Sequence, residues 1–431
     1  MRSNSGQTRV TQLDGLRGIA ALLVVACHAL STLPGIGNAV SGNRSAGLNA
    51  AETWAVFSPL HVLWNGTPAV HVFFVLSGYV LILPFTRPGA AGKWAQYYAK
   101  RFFRLYLPAW ASLAVAAALM AIIPRSASPL QSPWADIYVT DPSLGQVLKD
   151  GLLLMNASTI NTPLWSLKWE VLFSLLLPAY VLIALRWRRL WHLKLGLALA
   201  LAAAGALLDV EWLSYLPIFA IGAVLGAERE RIRELTEPWP RFGWFLVAAA
   251  GMFLANAEWI SPEQPIPGVE AVVTVGATLI VLLFVSCRSA KRLGDTAAAQ
   301  WLGRVSFSLY LVHLPIILAG VTLLRSVSLP LALAVSVAAA FVIAELFYRY
   351  AEQPAHRLSM AVGRSVARAA ERRVRRGAHT SIPVGPATPA GADTASAPDT
   401  ASAPDNADTP SAAPVPESVR AMAGAVSGHR G

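Results

Sequence analysis

From Gln12 to Phe347 the chain repeats one pattern: apolar runs of near membrane-spanning length joined by links that are in turn rich and poor in Lys and Arg. Nothing else in the sequence restricts the fold as tightly. An apolar helix of about 20 residues crosses the hydrocarbon of a bilayer, and links on the cytoplasmic side carry the excess of Lys and Arg. The first run is Gln12 to Ala29, and the link from Pro34 to Pro59 holds one basic residue, Arg44. The second, Thr67 to Phe85, runs into Arg87, Lys93, Lys100, Arg101 and Arg104. The third, Tyr106 to Ile123, opens into a polar stretch to Thr162 whose basic residues are Arg125 and Lys149, with a short helix expected around Leu144 to Met155. Later runs begin near Trp165, Leu195, Tyr215, Phe242, Val269, Val305 and Leu329. Ten runs place both termini and every basic cluster in the cytoplasm, the positive-inside arrangement. The expected fold is therefore all-α: a polytopic integral membrane protein of about ten transmembrane helices. Several runs fall short of about 20 residues, so some helices are expected to be broken or re-entrant.

Composition agrees. The chain is 55% hydrophobic and 14% charged, against about 25% charge in soluble domains. Its formal charge of +11 would suit nucleic acid, but the arginines sit in short clusters between apolar runs, which encodes topology and makes the lipid bilayer the partner. Cys27 and Cys287 lie in separate apolar runs without metal-type spacing, so free thiols are expected, with no disulfide and no metal. The polar start and the absence of a small-residue cleavage pattern make the first run an uncleaved span. Beyond residue 358 the character changes. Arg364, Arg368, Arg372 and Arg376 recur every four residues, striping a helix on anionic headgroups or simply anchoring the last span's orientation. From Thr380 onward, Pro, Ala, Ser, Thr and Asp dominate and DTASAP repeats, the composition of a disordered tail. The expected division is 1–358 membrane domain, 359–379 basic juxtamembrane segment and 380–431 tail.

In or beside the membrane runs lie polar residues at a density a passive scaffold does not need: Asp14, Arg17, His28, His71, Ser77, Arg101, Arg104, Ser166, Glu170, Tyr310, His313, Glu345 and Glu352. Ionisable groups there cost several kcal/mol unless they face a protein interior or a wet cavity, so they mark function by default. Arg17 and His28 are eleven residues apart, which on an ideal helix brings them to one face about 16 Å apart. Asp14 lies near the same face. Ser166 with Glu170, and Tyr310 with His313, share helical faces too, although each pair also suits a plain interhelical hydrogen bond.

Five strings in order, LDGLRGIAALLVVACHA, VFFVLSGYV, RFFRLYLPAW, LWSLKWEVLFSLLLP and SFSLYLVHLPI, followed by YAEQP, resemble the acyltransferase 3 family of membrane-embedded enzymes that acylate hydroxyls of sugars and other acceptors. They run from Leu13 to Pro354. One departure is His71 with Val72 before FFVLSG, where relatives often carry an acidic residue; another is that no appended hydrolase-like domain is expected, the sequence ending in the low-complexity stretch. The resemblance implies that Arg17 and His28 are the functional pair and that Arg101 and Arg104 line the cytoplasmic entrance for the acyl donor, acyl-coenzyme A, with acetyl the expected group. It is a co-substrate, and no tightly bound cofactor is expected.

Chemistry supports those roles. Acyl transfer to a hydroxyl needs a base, and neutral imidazole suits that at neutral pH; His28 is the first candidate, with His313 as an alternative. Guanidinium groups match phosphate in a bidentate way, so Arg17, Arg101 and Arg104 are donor-binding candidates; Arg17 would alternatively polarise the thioester carbonyl. Glu170 is a candidate to orient an imidazole or hold an acceptor hydroxyl, and Asp14, Ser77, Trp165 and Tyr310 are candidates for substrate contact. The leading expectation is an inner-membrane O-acyltransferase acting on a cell-surface glycan, glycolipid or glycosylated metabolite. The competing class is a proton-coupled transporter or flippase using Asp14, Arg17, His28 and Glu345 as an ion path.

Overall fold

The apolar runs fold as helices because a bilayer leaves backbone N–H and C=O groups no partner but each other. The computed structural model describes residues 10–44, 47–86, 94–139, 143–155, 157, 159–260 and 266–380, and no strand occurs among them. Arg87, Lys93 and the low-complexity tail beyond Thr380 lie outside them. The membrane helices are α1 Thr11–Leu30, α2 Gly66–Ile82, α3 Trp94–Ile122, α4 Trp165–Leu185, α5 Trp191–Leu207, α6 Glu211–Ala227, α7 Arg241–Ala255, α8 Val269–Ser286, α9 Ala297–Leu324 and α10 Leu329–Phe347. Eight of these are long and apolar enough to cross a bilayer, and α6 and α7 are shorter apolar helices. A five-residue π turn, Tyr348–Glu352, joins α10 to α11, Gln353–Thr380. Residues Met1–Arg376 form one compact unit, and Gly377 begins a second. Leu182, Leu193, Phe245 and Phe253 are more than half exposed on the spans, as lipid-facing side chains are.

Two glycine pairs explain how α1 and α9 come together. A Cβ added at Gly15 would overlap the backbone of Gly294, just before α9, and one at Gly18 would overlap that of Gly303. Lipid tails give helices no hydrophobic reason to associate, so close backbone approach through small residues does it instead.

The links gather on two faces. On the basic face, Thr11 donates to Asp295 at 2.7 Å, Arg188 pairs with Glu228 at 2.7 Å, and Ser359 of α11 donates to the Lys100 carbonyl at 2.7 Å. On the opposite, loop face, Ser132 Oγ donates to the Ser31 carbonyl at 2.5 Å and Arg325 reaches Ser126 at 2.7 Å. There Arg44, Trp259, His61 and Trp64 form one stack, with Arg44 4.3 Å from the Trp259 centroid and His61 3.8 Å from that of Trp64. Burial holds the His61 imidazole down to about 4 and pushes the Glu258 carboxyl above its usual range, although Arg44, 3.6 Å away, pulls the latter back.

Two expectations change. Arg101 and Arg104 belong to no loop: α3 starts at Trp94 and holds both. The link after α3 also does not stay outside throughout. Its short helix, Leu144–Gly151, accepts at its C-terminal end from Trp110 Nε1, 2.8 Å from the Gly151 carbonyl, and Tyr106 donates to the Leu152 carbonyl at 3.0 Å. Both donors sit at mid-length in α3. Asn161 then reaches into the bundle and donates to Ser112 Oγ and the Leu311 carbonyl, both at 3.1 Å. At Ile160 and Asn161 non-helical backbone is tolerated at this depth because it is buried in protein.

Candidate active site

The first of two regions that hold the predicted site residues is a histidine pair at the seam of α1 and α9, with His28 half-buried. Gly18 meets Gly303 and His28 meets His313 at the same sequence offset, 285, so α1 and α9 run parallel in one register from the basic face into the bundle. His313 is fully buried and its Nδ1 lies 2.9 Å from both the Leu309 and Tyr310 carbonyls. A carbonyl only accepts, so Nδ1 carries the proton and Nε2 is the acceptor. His28 Nδ1, 2.8 Å away, must donate to it, which leaves His28 Nε2 with its lone pair. The two rings are within 6° of parallel, and Trp134 stacks on His28 with centroids 5.5 Å apart. Pro315, two residues on, removes the N–H that would bond the Leu311 carbonyl. Asn161 takes that carbonyl, so the break in the helix is satisfied beside the histidines.

The second region is a cavity of about 1130 Å³ opening at the basic face. Asp14 and Arg17 line it from α1, Ser77 from α2, Arg101 and Arg104 from α3, and Glu170 from α4. Its inner end is formed by Ser166 and Tyr310, whose hydroxyls are 2.7 Å apart. Arg101 is ion-paired with Glu170 and donates to Ser174 Oγ at 2.8 Å, while Ser77 donates to Glu170 at 3.1 Å. Glu170 therefore faces an arginine and a serine, not an imidazole, because the segment ending at Asn161 starts α4 inside the bundle. Trp165 turns away from the cavity and packs on Tyr215 with centroids 5.4 Å apart. His71 bonds Thr274 at 3.0 Å, outside both regions.

Arg229, Arg304 and His356 also line the cavity and were not expected there. Arg229 sits in a basic cluster whose topological role hides any other, Arg304 falls just before the expected start of its span, and His356 follows the last expected span. Glu352 is brought in by the π turn and accepts from Ser308 N at 3.1 Å and Ser308 Oγ at 2.5 Å. Among the described residues no group of three His, Cys, Asp or Glu side chains is arranged to hold a metal.

Family membership is settled by the sequence over most of this architecture. A model described as an acyltransferase domain matches residues 10–349. The chain belongs to the acyltransferase 3 family. This acyltransferase is similar to acyltransferase MdmB of Streptomyces mycarofaciens, 26% identical over 337 residues that cover 72% of this chain and 80% of the relative. Peptidoglycan O-acetyltransferase OatA of Listeria monocytogenes is 25% identical over 381 residues, 80% of this chain and 55% of that longer protein. O-acetyltransferase PaAT-1 of Phomopsis amygdali is 23% identical over 366 residues, 71% of each. No solved structure matches. The acyltransferase is thus a multi-pass membrane O-acyltransferase, one that transfers groups other than aminoacyl groups.

Proposed function

We propose that this acyltransferase moves an acyl group, acetyl being the expected one, from coenzyme A in the arginine-lined cavity to a hydroxyl of a sugar-containing acceptor. The observation that carries this reading is the His28–His313 pair, set beyond the closed inner end of the cavity with its tautomers fixed. His28 Nε2 takes the proton of the acceptor hydroxyl while the oxygen attacks the thioester carbonyl. The new C–O bond forms, the C–S bond breaks, and the proton passes to the departing thiolate, giving ester and free thiol. His313 holds the His28 ring and stabilises its cationic form, as a partner that keeps one tautomer does.

Arg17 and Arg104 suit the polyanionic donor, as do Arg229, Arg304 and His356 nearer the basic face. Arg101 is committed to Glu170, so its part is to position the wall. Under the positive-inside rule the basic face is cytoplasmic, as are both termini, and coenzyme A then enters from the side where it is made. The acceptor arrives at the loop face, where Trp134 covers His28. The Listeria relative is named for peptidoglycan; a surface glycan, a glycolipid or a glycosylated metabolite is the corresponding class here. The transporter reading finds less support, because Glu345 does not itself line the cavity and is held by Arg349, Trp301 and Arg304.

The test is thiol release from labelled acetyl-coenzyme A by protein in nanodiscs, with saccharide acceptors present and absent. Unchanged turnover in His28→Ala would remove the central assignment. Mass spectrometry of surface glycans and secreted metabolites with and without the gene identifies the acceptor by the acyl mass that disappears.

A further inference from the structure

The cavity and the histidine pair do not share a wall. Tyr310 lines the cavity, and neither His28 nor His313 does. The Tyr310 ring stands between them, 6.0 Å from the His313 centroid on one side. On the other it is held by two contacts. Its hydroxyl bonds Ser166 Oγ at 2.7 Å, and the Phe73 ring meets it edge-on at 5.7 Å. Ser166 is itself anchored to the Pro163 carbonyl at 3.2 Å, at the point where the buried link turns into α4. A cavity open to the basic face brings water as readily as donor, and water at His28 would be activated as readily as a sugar hydroxyl.

We infer that Tyr310 is a gate: latched to Ser166 it keeps cavity water from the histidine pair, and its displacement by the arriving acyl-pantetheine joins the two regions. The inference rests on the proposed role of His28. Opened without an acceptor, the site hydrolyses the donor. Water oxygen attacks the thioester carbonyl, His28 takes the proton, the C–S bond breaks, and the products are the carboxylic acid and the thiol that receives that proton.

The experiment measures thiol release from acetyl-coenzyme A by protein in nanodiscs with no acceptor, and acyl product per thiol with acceptor present. In Tyr310→Ala, acceptor-independent release rises by about tenfold, the low end of what one shape-defining contact controls, and the product-to-thiol ratio falls. Tyr310→Phe keeps the ring, loses the latch and gives a smaller rise. Ser166→Ala matches Tyr310→Phe, and the double variant adds nothing, which a merely structural tyrosine would not give. His28→Ala added to Tyr310→Ala abolishes the hydrolysis. If both Tyr310 variants are folded by size-exclusion profile and keep the wild-type product-to-thiol ratio, the gate is wrong. If hydrolysis rises but survives His28→Ala, the gate stands and the base is misassigned.

Discussion

The two ends of α1 treat their polar residues in opposite ways. Arg17 faces a roomy cavity whose charged groups come from five other helices or their links, whereas His28 is packed between Trp134 and His313 eleven residues on. A cation with a long flexible stem can serve a mobile, water-accompanied ligand. An imidazole that must present one particular nitrogen cannot be left to rotate, and it is fixed by a chain running from the Leu309 and Tyr310 carbonyls through His313. In the proposed reading the same helix offers binding at one end and oriented chemistry at the other, with the glycine seam against α9 keeping the two in register.

The comparison breaks first at His28. In His28→Ala, kcat falls by about 10²- to 10⁴-fold, the range for a general base, while the KM for acyl-coenzyme A stays near wild type; steady-state kinetics in nanodiscs reads both. A rise in KM with unchanged kcat would merge the two ends into one binding site.

A second buried imidazole, His61, separates chemistry from stability. Its folded value of about 4 lies below the ordinary 6.5, so the unfolded chain binds the extra proton first. Stability is complete above pH 6.5 and is lost as pH falls toward 4, by roughly 3 kcal/mol for a shift of this size. Glu258, whose carboxyl is raised by burial, titrates in the opposite sense, so pH alone does not isolate the imidazole. Thermal unfolding of His61→Phe does: the slope between pH 6.5 and 4 flattens relative to wild type.

Asn161→Leu leaves the Leu311 carbonyl without the donor that Pro315 makes necessary, at a cost of about 1–3 kcal/mol. Thermal unfolding should show that loss, with kcat reduced more than donor KM because the break lies beside His313. Smallest is Arg104→Gln at the wet end. There the KM for acyl-coenzyme A rises by about tenfold, the difference in free energy is near 1.4 kcal/mol, and the effect shrinks at high salt, as exposed phosphate contacts do.

Much of this is legible in the sequence. The starts of α1, α4, α8 and α10 fall within a residue of those of the apolar runs, because hydrocarbon dictates where backbone must be helical. The runs missed the first turns of α3 and α9, since Lys100, Arg101, Arg104 and Arg304 look like loop charges until a cavity is there to receive them. Arg17 and His28 were placed on one face by helical geometry alone. The pairing of Glu170 with Arg101 was out of reach, because it depends on a link that doubles back into the bundle.

By itself the sequence determined an all-helical multi-pass protein and its family, and it singled out the first helix by the ionisable residues on one face. These follow from local rules: apolar length, charge at the links, and the 3.6-residue period. Only the tertiary structure decided that His28 and His313 are bonded to each other, that Arg101 is paired with Glu170, and that Tyr310 stands between the cavity and the histidines. Each is a contact between residues more than sixty positions apart, and hydropathy, which fixes where a helix lies in the membrane, carries no information about which neighbour its polar groups meet.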